Sequence, residues 1–321
     1  MNTTELARPQ ATPAPWADQA RHVANRVRRR VLELTIERNG CYLSQTLSSA
    51  DLLATLYTRT LRLGPSQGTA IPPPFRAVPG REGAGCGEGA LYNGPRAPEY
   101  DRLLISPAHY AVAVYATLVE TGRMAPEGLA QFNVDGSTVE MIGAEHSPGF
   151  ELTTGSFGQA ISQAGGIAMA RRLRGEAGRV FVFMSDGELE EGQTWEALQA
   201  LAFYKLDNVV VCVDVNGMQY DGATKDVMNI EPIAARVDAF GGAAVAVDGH
   251  DPAAIDQAVT ATPHAGKPLF VLCYSDSTRG VPLLEPRKPH LHFVRFKDDA
   301  EIERFRRFAR SGLSASPAEE G

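Results

Sequence analysis

Val180-Phe181-Val182-Phe183-Met184 runs straight into Ser185-Asp186-Gly187-Glu188, and Val209 to Val215 runs into Asn216-Gly217-Met218. Each apolar run reads as a buried parallel strand that delivers polar residues to a loop at its C-terminal end. The segment between them, Glu191 to Lys205, reads as a helix, so the whole stretch forms one βαβ crossover. That topology puts Asp186 and Asn216 at the same edge of a sheet, where open α/β folds bind ligands. A carboxylate and an amide oxygen converging there are hard donors suited to Mg²⁺ or Ca²⁺. Because Mg²⁺ binds through few protein groups and leans on ligand phosphates, a metal-bridged diphosphate is the natural candidate.

The composition is that of an ordinary soluble globular protein. A chain of 321 residues, 44% hydrophobic and 21% charged, can bury a sizeable core. The net charge of −7 and the lack of a long basic run argue against nucleic acid as a partner. The one basic cluster, Arg26/Arg28/Arg29/Arg30, reads as a solvated helix face or a subunit contact. No apolar stretch is long enough for a bilayer, and residues 1–17 read as a polar, Pro/Ala-rich disordered tail without a signal core. Cys41, Cys86, Cys212 and Cys273 lack metal-ligand spacing, which suggests plain thiols in a reducing compartment and a cytoplasmic protein.

Residues 185–197, 204–208 and 214–222 together resemble the thiamine diphosphate signature of transketolases. The likeness is greatest to the separate N-terminal subunit of split, two-chain transketolases, and by motif order it runs from about Asn25 to His292. It implies a thiamine diphosphate-binding α/β domain over residues 18–297, with a parallel sheet and helices on both faces. Residues 64–98 are a Pro/Gly-rich insertion, read either as a lid or partner-binding loop or as a floppy excursion. Residues 298–321 read as a short charged helix and a tail.

The resemblance also assigns roles. Asp186 and Asn216 would hold the metal through side chains and Met218 through its backbone carbonyl, with Gly187 offering its N–H to the diphosphate. Ser185 stands where the family has glycine, and Glu191 matches a glutamate at the subunit interface near the cofactor. Glu188 and Glu190 are expected behind the ligands or facing solvent. Thr153-Thr154-Gly155-Ser156-Phe157-Gly158-Gln159-Ala160 resembles the loop that holds the thiamine rings; its glycines allow tight turns and a helix start favours anionic or polar groups. His109, after the strand Arg102 to Ser106, matches a histidine near the diphosphate and the reacting carbon, and either His290 or His292 matches a later one. Both classes of histidine would serve as general acid or base.

Departures from the family are as informative. Where it carries a substrate-contacting histidine, this chain has Cys41 or Tyr42, in a loop read as preceding a helix capped by Ser48/Ser49. A second loop histidine is missing, with His146 nearby as a substitute or as an exposed residue. Arg287 and Lys288 could meet an anionic substrate or lie in a solvated loop. Asp248-Gly249-His250-Asp251 reads as a helix cap without chemistry.

The reaction implied is transfer of a two-carbon ketol unit from a ketose donor to an aldehyde acceptor. The family's glutamate facing the aminopyrimidine belongs to a pyrimidine-binding domain beyond the segment read here. A second, C-terminal transketolase-like subunit is therefore expected as partner, two copies of each chain, with a sugar or keto compound other than ordinary pentose phosphates as substrate. The competing expectations are an α-type subunit of a 2-oxoacid dehydrogenase or decarboxylase, and a non-catalytic scaffold.

Overall fold

The computed structural model describes residues 15–76 and 88–311. Its centre is a parallel sheet of β1 (Arg102–Ile105), β2 (Val180–Ser185), β3 (Val209–Val215), β6 (Ala243–Asp248) and β7 (Leu269–Tyr274), in the order β1-β2-β3-β7-β6. A small antiparallel hairpin, β4 (Met218–Gln219) and β5 (Gly222–Ala223), sits at the exit of β3.

Alternation along the strands sorts side chains between two cores. Phe181, Phe183, Val210, Cys212, Val271 and Cys273 face one layer, built with α1 (Pro15–Arg38), α2 (Leu43–Thr55), α3 (Ala111–Glu120), α9 (Pro252–Ala261) and α10 (Asp299–Ser311). Val180, Val182, Met184, Val211, Val213 and Leu272 face the other, built with α5 (Gln159–Leu173), α6 (Gly192–Phe203) and α8 (Ile233–Ala239). Short turns α4 (Pro126–Leu129) and α7 (Thr224–Val227) complete the helices. Being covered on both faces is why the central strands are apolar along most of their length, Asp214 and Ser185 near their exits excepted. The expected α/β class with helices on both faces is what the chain forms.

Boundaries differ where side chains compete with local rules. Helix α1 starts at Pro15, inside the stretch read as tail. Helix α2 starts at Leu43, so Ser48 and Ser49 are not caps but lie inside it, donating back to the carbonyl of Gln45. Asp251 does cap α9, accepting from the Ala253 N–H at 3.0 Å. The flanks of the 64–98 insertion are tied down, with Gln67 donating to the Leu91 carbonyl and Phe75 to that of Gly136. Residues 77–87, and with them Cys86 and the lid reading, lie outside the described residues, as do residues 1–14 and 312–321.

The Arg cluster is not a solvated face. Arg28 is 2% exposed and pairs with buried Asp51, while Arg26 and Arg30 both reach Glu120 on α3. Arg29 alone of the four makes an exposed pair on its own helix, with Glu33. Among the described residues no helix is long and apolar enough to cross a membrane.

Candidate active site

The exits of β1, β2, β3 and β7 meet at one edge. The β2–β3 register pairs Ser185 with Asp214, so Asp186 and Asn216 leave the sheet side by side. Asp186 begins a 3-10 turn and is 1% exposed. It accepts from the N–H of Gly187 at 3.0 Å, the N–H of Gly217 at 2.9 Å and the Thr224 hydroxyl at 3.2 Å. Burial, then the nearby Asp214 carboxylate, pushes its carboxyl up to about 7. No basic side chain pairs with it among the described residues. Asn216 turns its amide nitrogen inward, to Asp214 and Tyr110, and its oxygen accepts from the Met218 N–H at 3.0 Å. Met218 is half-buried and opens the hairpin beside them.

Beside this pair lies a cleft of about 170 Å³, whose walls include His109, Phe157, Gly187, Glu190, Glu191 and His292. His109 and His292 stand ring to ring, 5.1 Å between centroids. Burial, and secondarily His292, drops His109 to about 3; burial also lowers His292. Both are therefore neutral imidazoles at physiological pH, able to accept or donate at different nitrogens. Of the two late candidates, then, it is His292 that reaches the cleft. His290 is exposed, held by its backbone N–H to the Arg287 carbonyl, and does not line the cleft.

The substituted loop resolves in the same way. Cys41 is fully buried and bridges to Val294, whereas the Tyr42 ring packs on His109, His292 and Phe293 at 5.2, 5.4 and 5.1 Å. Gln45 donates to the His292 carbonyl at 2.9 Å, and Ser44 to that of Leu291 at 2.7 Å. The 41–45 segment thereby sews the 291–294 segment in place.

The glycine-rich loop lies opposite. Gly155 donates to the Ser106 carbonyl at 3.1 Å, and Phe157 faces His109 at 6.0 Å. Ser156 is exposed and accepts from the Gln159 side chain. Gly158 caps α5 at φ +80°, and a Cβ there would meet Gln193 Cβ at 3.0 Å and Thr194 N at 3.1 Å. Gly158→Ala is expected to cost about 1–2 kcal/mol from the left-handed backbone alone, read as a lower melting temperature; an unchanged temperature would mean the turn relaxes freely.

Glu188 is not solvent-facing. It is fully buried, accepts from the Ser106 hydroxyl and from the Gly158 N–H at 2.8 Å, and is pushed by burial up to about 7. It ties the His109 turn to the glycine loop. Glu190 is half-buried in the cleft wall, and Glu191 is exposed at the mouth, at the N-cap position of α6. His146 neither substitutes at the cleft nor lies exposed; it is half-buried, bonded to Glu140 at 2.8 Å and packed on Phe75. Arg287 is engaged by Glu301, and Lys288 by Asp276 and Glu285, so neither is a free cation for substrate.

Comparison with known proteins fits this geometry. A profile of the transketolase thiamine diphosphate-binding domain matches residues 89–307. The chain belongs to the transketolase family. It is 35% identical over 292 residues to a transketolase family protein of Sinorhizobium fredii, covering 88% of this chain and 92% of that one. An apulose-4-phosphate transketolase subunit from Actinobacillus succinogenes is 28% identical, covering 89% and 94%. A 6-deoxy-6-sulfo-D-fructose transketolase subunit from a Clostridium species is 30% identical, covering 82% and 87%. Among solved structures, the Campylobacter jejuni transketolase superposes with a TM-score of 0.72 at 21% identity, over 93% of this chain but 44% of its own. The chain thus spans less than half of that enzyme, while matching separate transketolase subunits over most of their length.

Three residues around this cleft carried no role in the sequence reading: Asp214, Tyr110 and Gln45. Asp214 had a signal, being a lone carboxylate in an otherwise apolar strand.

Proposed function

We propose that this chain is the diphosphate- and metal-binding subunit of a split transketolase-like enzyme, completed by a pyrimidine-domain partner. The observation that carries the reading is Asp186: a buried carboxylate without a basic partner among the described residues, converging with the Asn216 oxygen beside two neutral histidines. A desolvated carboxylate with no counter-charge fits a site built for a cation. No group of three or more His, Cys, Asp or Glu side chains is placed to hold a metal among the described residues. Asp186, Asn216 and the Met218 carbonyl would therefore hold Mg²⁺, or Ca²⁺ in its place, only together with diphosphate oxygens and water.

When bound, thiamine diphosphate supplies the carbanion chemistry, and the protein supplies orientation and electrostatics. Gly187 would turn its backbone N–H from the Asp186 carboxylate, where it sits in this structure, to the diphosphate, next to Ser185 at the strand end. Gly155, Ser156, Phe157 and Gly158 would hold the ring system, with Phe157 in the cleft wall beside His109. His109 and His292, kept neutral by burial, exchange protons with substrate oxygens as general base and acid. Glu191, exposed at the mouth, faces the partner.

A separate partner is supported by the relatives, which are named as individual transketolase subunits. Two copies of each chain and a cytoplasmic setting complete the proposal. Those relatives are named for different sugars, and Tyr42 crowds the histidine pair here, which supports a substrate other than ordinary pentose phosphates.

The test is reconstitution with the protein that co-purifies in equal amount. The expected result is Mg²⁺-dependent cofactor binding by the pair and ketol transfer from a ketose, with little from either chain alone. Turnover of 2-oxoacids in preference to ketoses, or a chain that isolates alone and binds no thiamine diphosphate, would overturn the reading.

A further inference from the structure

Asp214 is a carboxylate that the reaction just described does not use. It sits 1% exposed near the end of β3, between Val213 and Val215, and no basic side chain pairs with it among the described residues. Burying a charge so is costly unless hydrogen bonds compensate. Four donors from four parts of the fold converge on it. Ser48 of α2 donates at 2.6 Å, Tyr110 after β1 at 3.0 Å and the Asn216 amide at 3.1 Å, all to Oδ2. Ser275, after β7, donates to Oδ1 at 2.5 Å.

A carboxylate only accepts. It therefore sets the polarity of the network: both serines and Tyr110 must donate, and Asn216 must present its NH₂ side. The Tyr110 oxygen takes a second Asn216 amide proton at 3.1 Å. With its nitrogen held from behind, Asn216 can point its oxygen only toward the Gly217–Met218 turn, the same turn whose Gly217 N–H grips Asp186.

We propose that Asp214 is the positioning residue of this site, presetting the Asn216 oxygen beside Asp186 so that the two accept a divalent cation without rearrangement. The inference rests on the cation reading above. A role confined to stability would predict that Asp214 variants lose cation affinity only as far as they unfold.

The experiment compares Mg²⁺ and Ca²⁺ affinity, by calorimetry with thiamine diphosphate present, and the melting temperature of the metal-free protein. Asp214→Asn keeps the shape but adds a donor that can face Asn216. It is expected to weaken both cations about 10- to 100-fold, the range for supports of metal ligands. Tyr115→Phe removes a buried hydroxyl bonded to the Glu140 carbonyl, remote from the site, and serves as the stability control with unchanged affinity. Should Asp214→Asn not fold, Tyr110→Phe decides, because it removes one anchor of the Asn216 amide; several-fold weaker cation binding is expected. Wild-type affinity in the folded variant, or losses that track melting temperature across all variants, overturns the inference. A wild-type protein that binds cofactor without any divalent cation overturns the cation reading instead.

Discussion

Asp186→Ala is expected to weaken Mg²⁺-dependent thiamine diphosphate binding at least about a hundredfold, or about 2.7 kcal/mol, while the chain stays folded. Asp186 is the single carboxylate of the proposed ligand set, so its removal takes away all of the anionic charge the chain offers the cation directly. Its present partners are two backbone N–H groups and the Thr224 hydroxyl, and no ion pair is broken. Leaving these donors without their carboxylate costs less than leaving a buried charge unpaired, and Gly217 is exposed enough for water to replace the side chain. Cofactor titrations with and without Mg²⁺, run beside melting curves, separate the two effects. Equal Mg²⁺ dependence in variant and wild type would show that the cation sits elsewhere.

Asp51→Ala should be the most damaging change to stability, at about 3–5 kcal/mol, because it strands Arg28 in the interior. Arg28, 2% exposed, donates to the Leu47 carbonyl and pairs with Asp51. His250 bonds the same carboxylate at 2.9 Å through Nδ1, while its Nε2 accepts from the Asp276 N–H at 2.8 Å. One carboxylate thus joins α1, α2 and the exits of β6 and β7. The turn read as a bare helix cap does cap α9 through Asp251, but its His250 belongs to this cluster.

The pH dependence of that prediction has a definite sign. Burial alone would raise the Asp51 carboxyl, but the Arg28 guanidinium and the His250 hydrogen bond outweigh it and hold the group below its ordinary value. A folded value below the unfolded one, about 3.9, means the stabilisation is complete above that pH and is lost as pH falls through the folded value. The gap in melting temperature between wild type and Asp51→Ala should stay constant from about pH 5 to 8 and close below about pH 4. A gap that persists into stronger acid would mean that the carboxylate's charge contributes little.

How far the primary structure could be read follows from what kind of signal each feature leaves. The strands β2, β3 and β7, the crossover helix and the Asp186/Asn216 pair were legible, because apolar periodicity and strand-end position are local properties. The glycine loop was legible too, since Gly155 and Gly158 meet backbone requirements set by their immediate neighbours. The choice of His292 over His290 was not, and neither was that of Tyr42 over Cys41. In an aperiodic loop, which side chain turns inward depends on a segment far away in the chain, here through the Cys41–Val294 bridge and the Gln45–His292 bond.

Charged residues show the same division more sharply. Arg28, Asp51 and Asp214 all lie in stretches where a solvated face, or an apolar strand, was the natural reading, and all three are buried. A chain read in one dimension carries the helix and strand periods and the chemical type of a ligand. Whether a charge can enter the interior depends on donors and counter-charges brought from distant elements, and those partners exist only once the layers have packed.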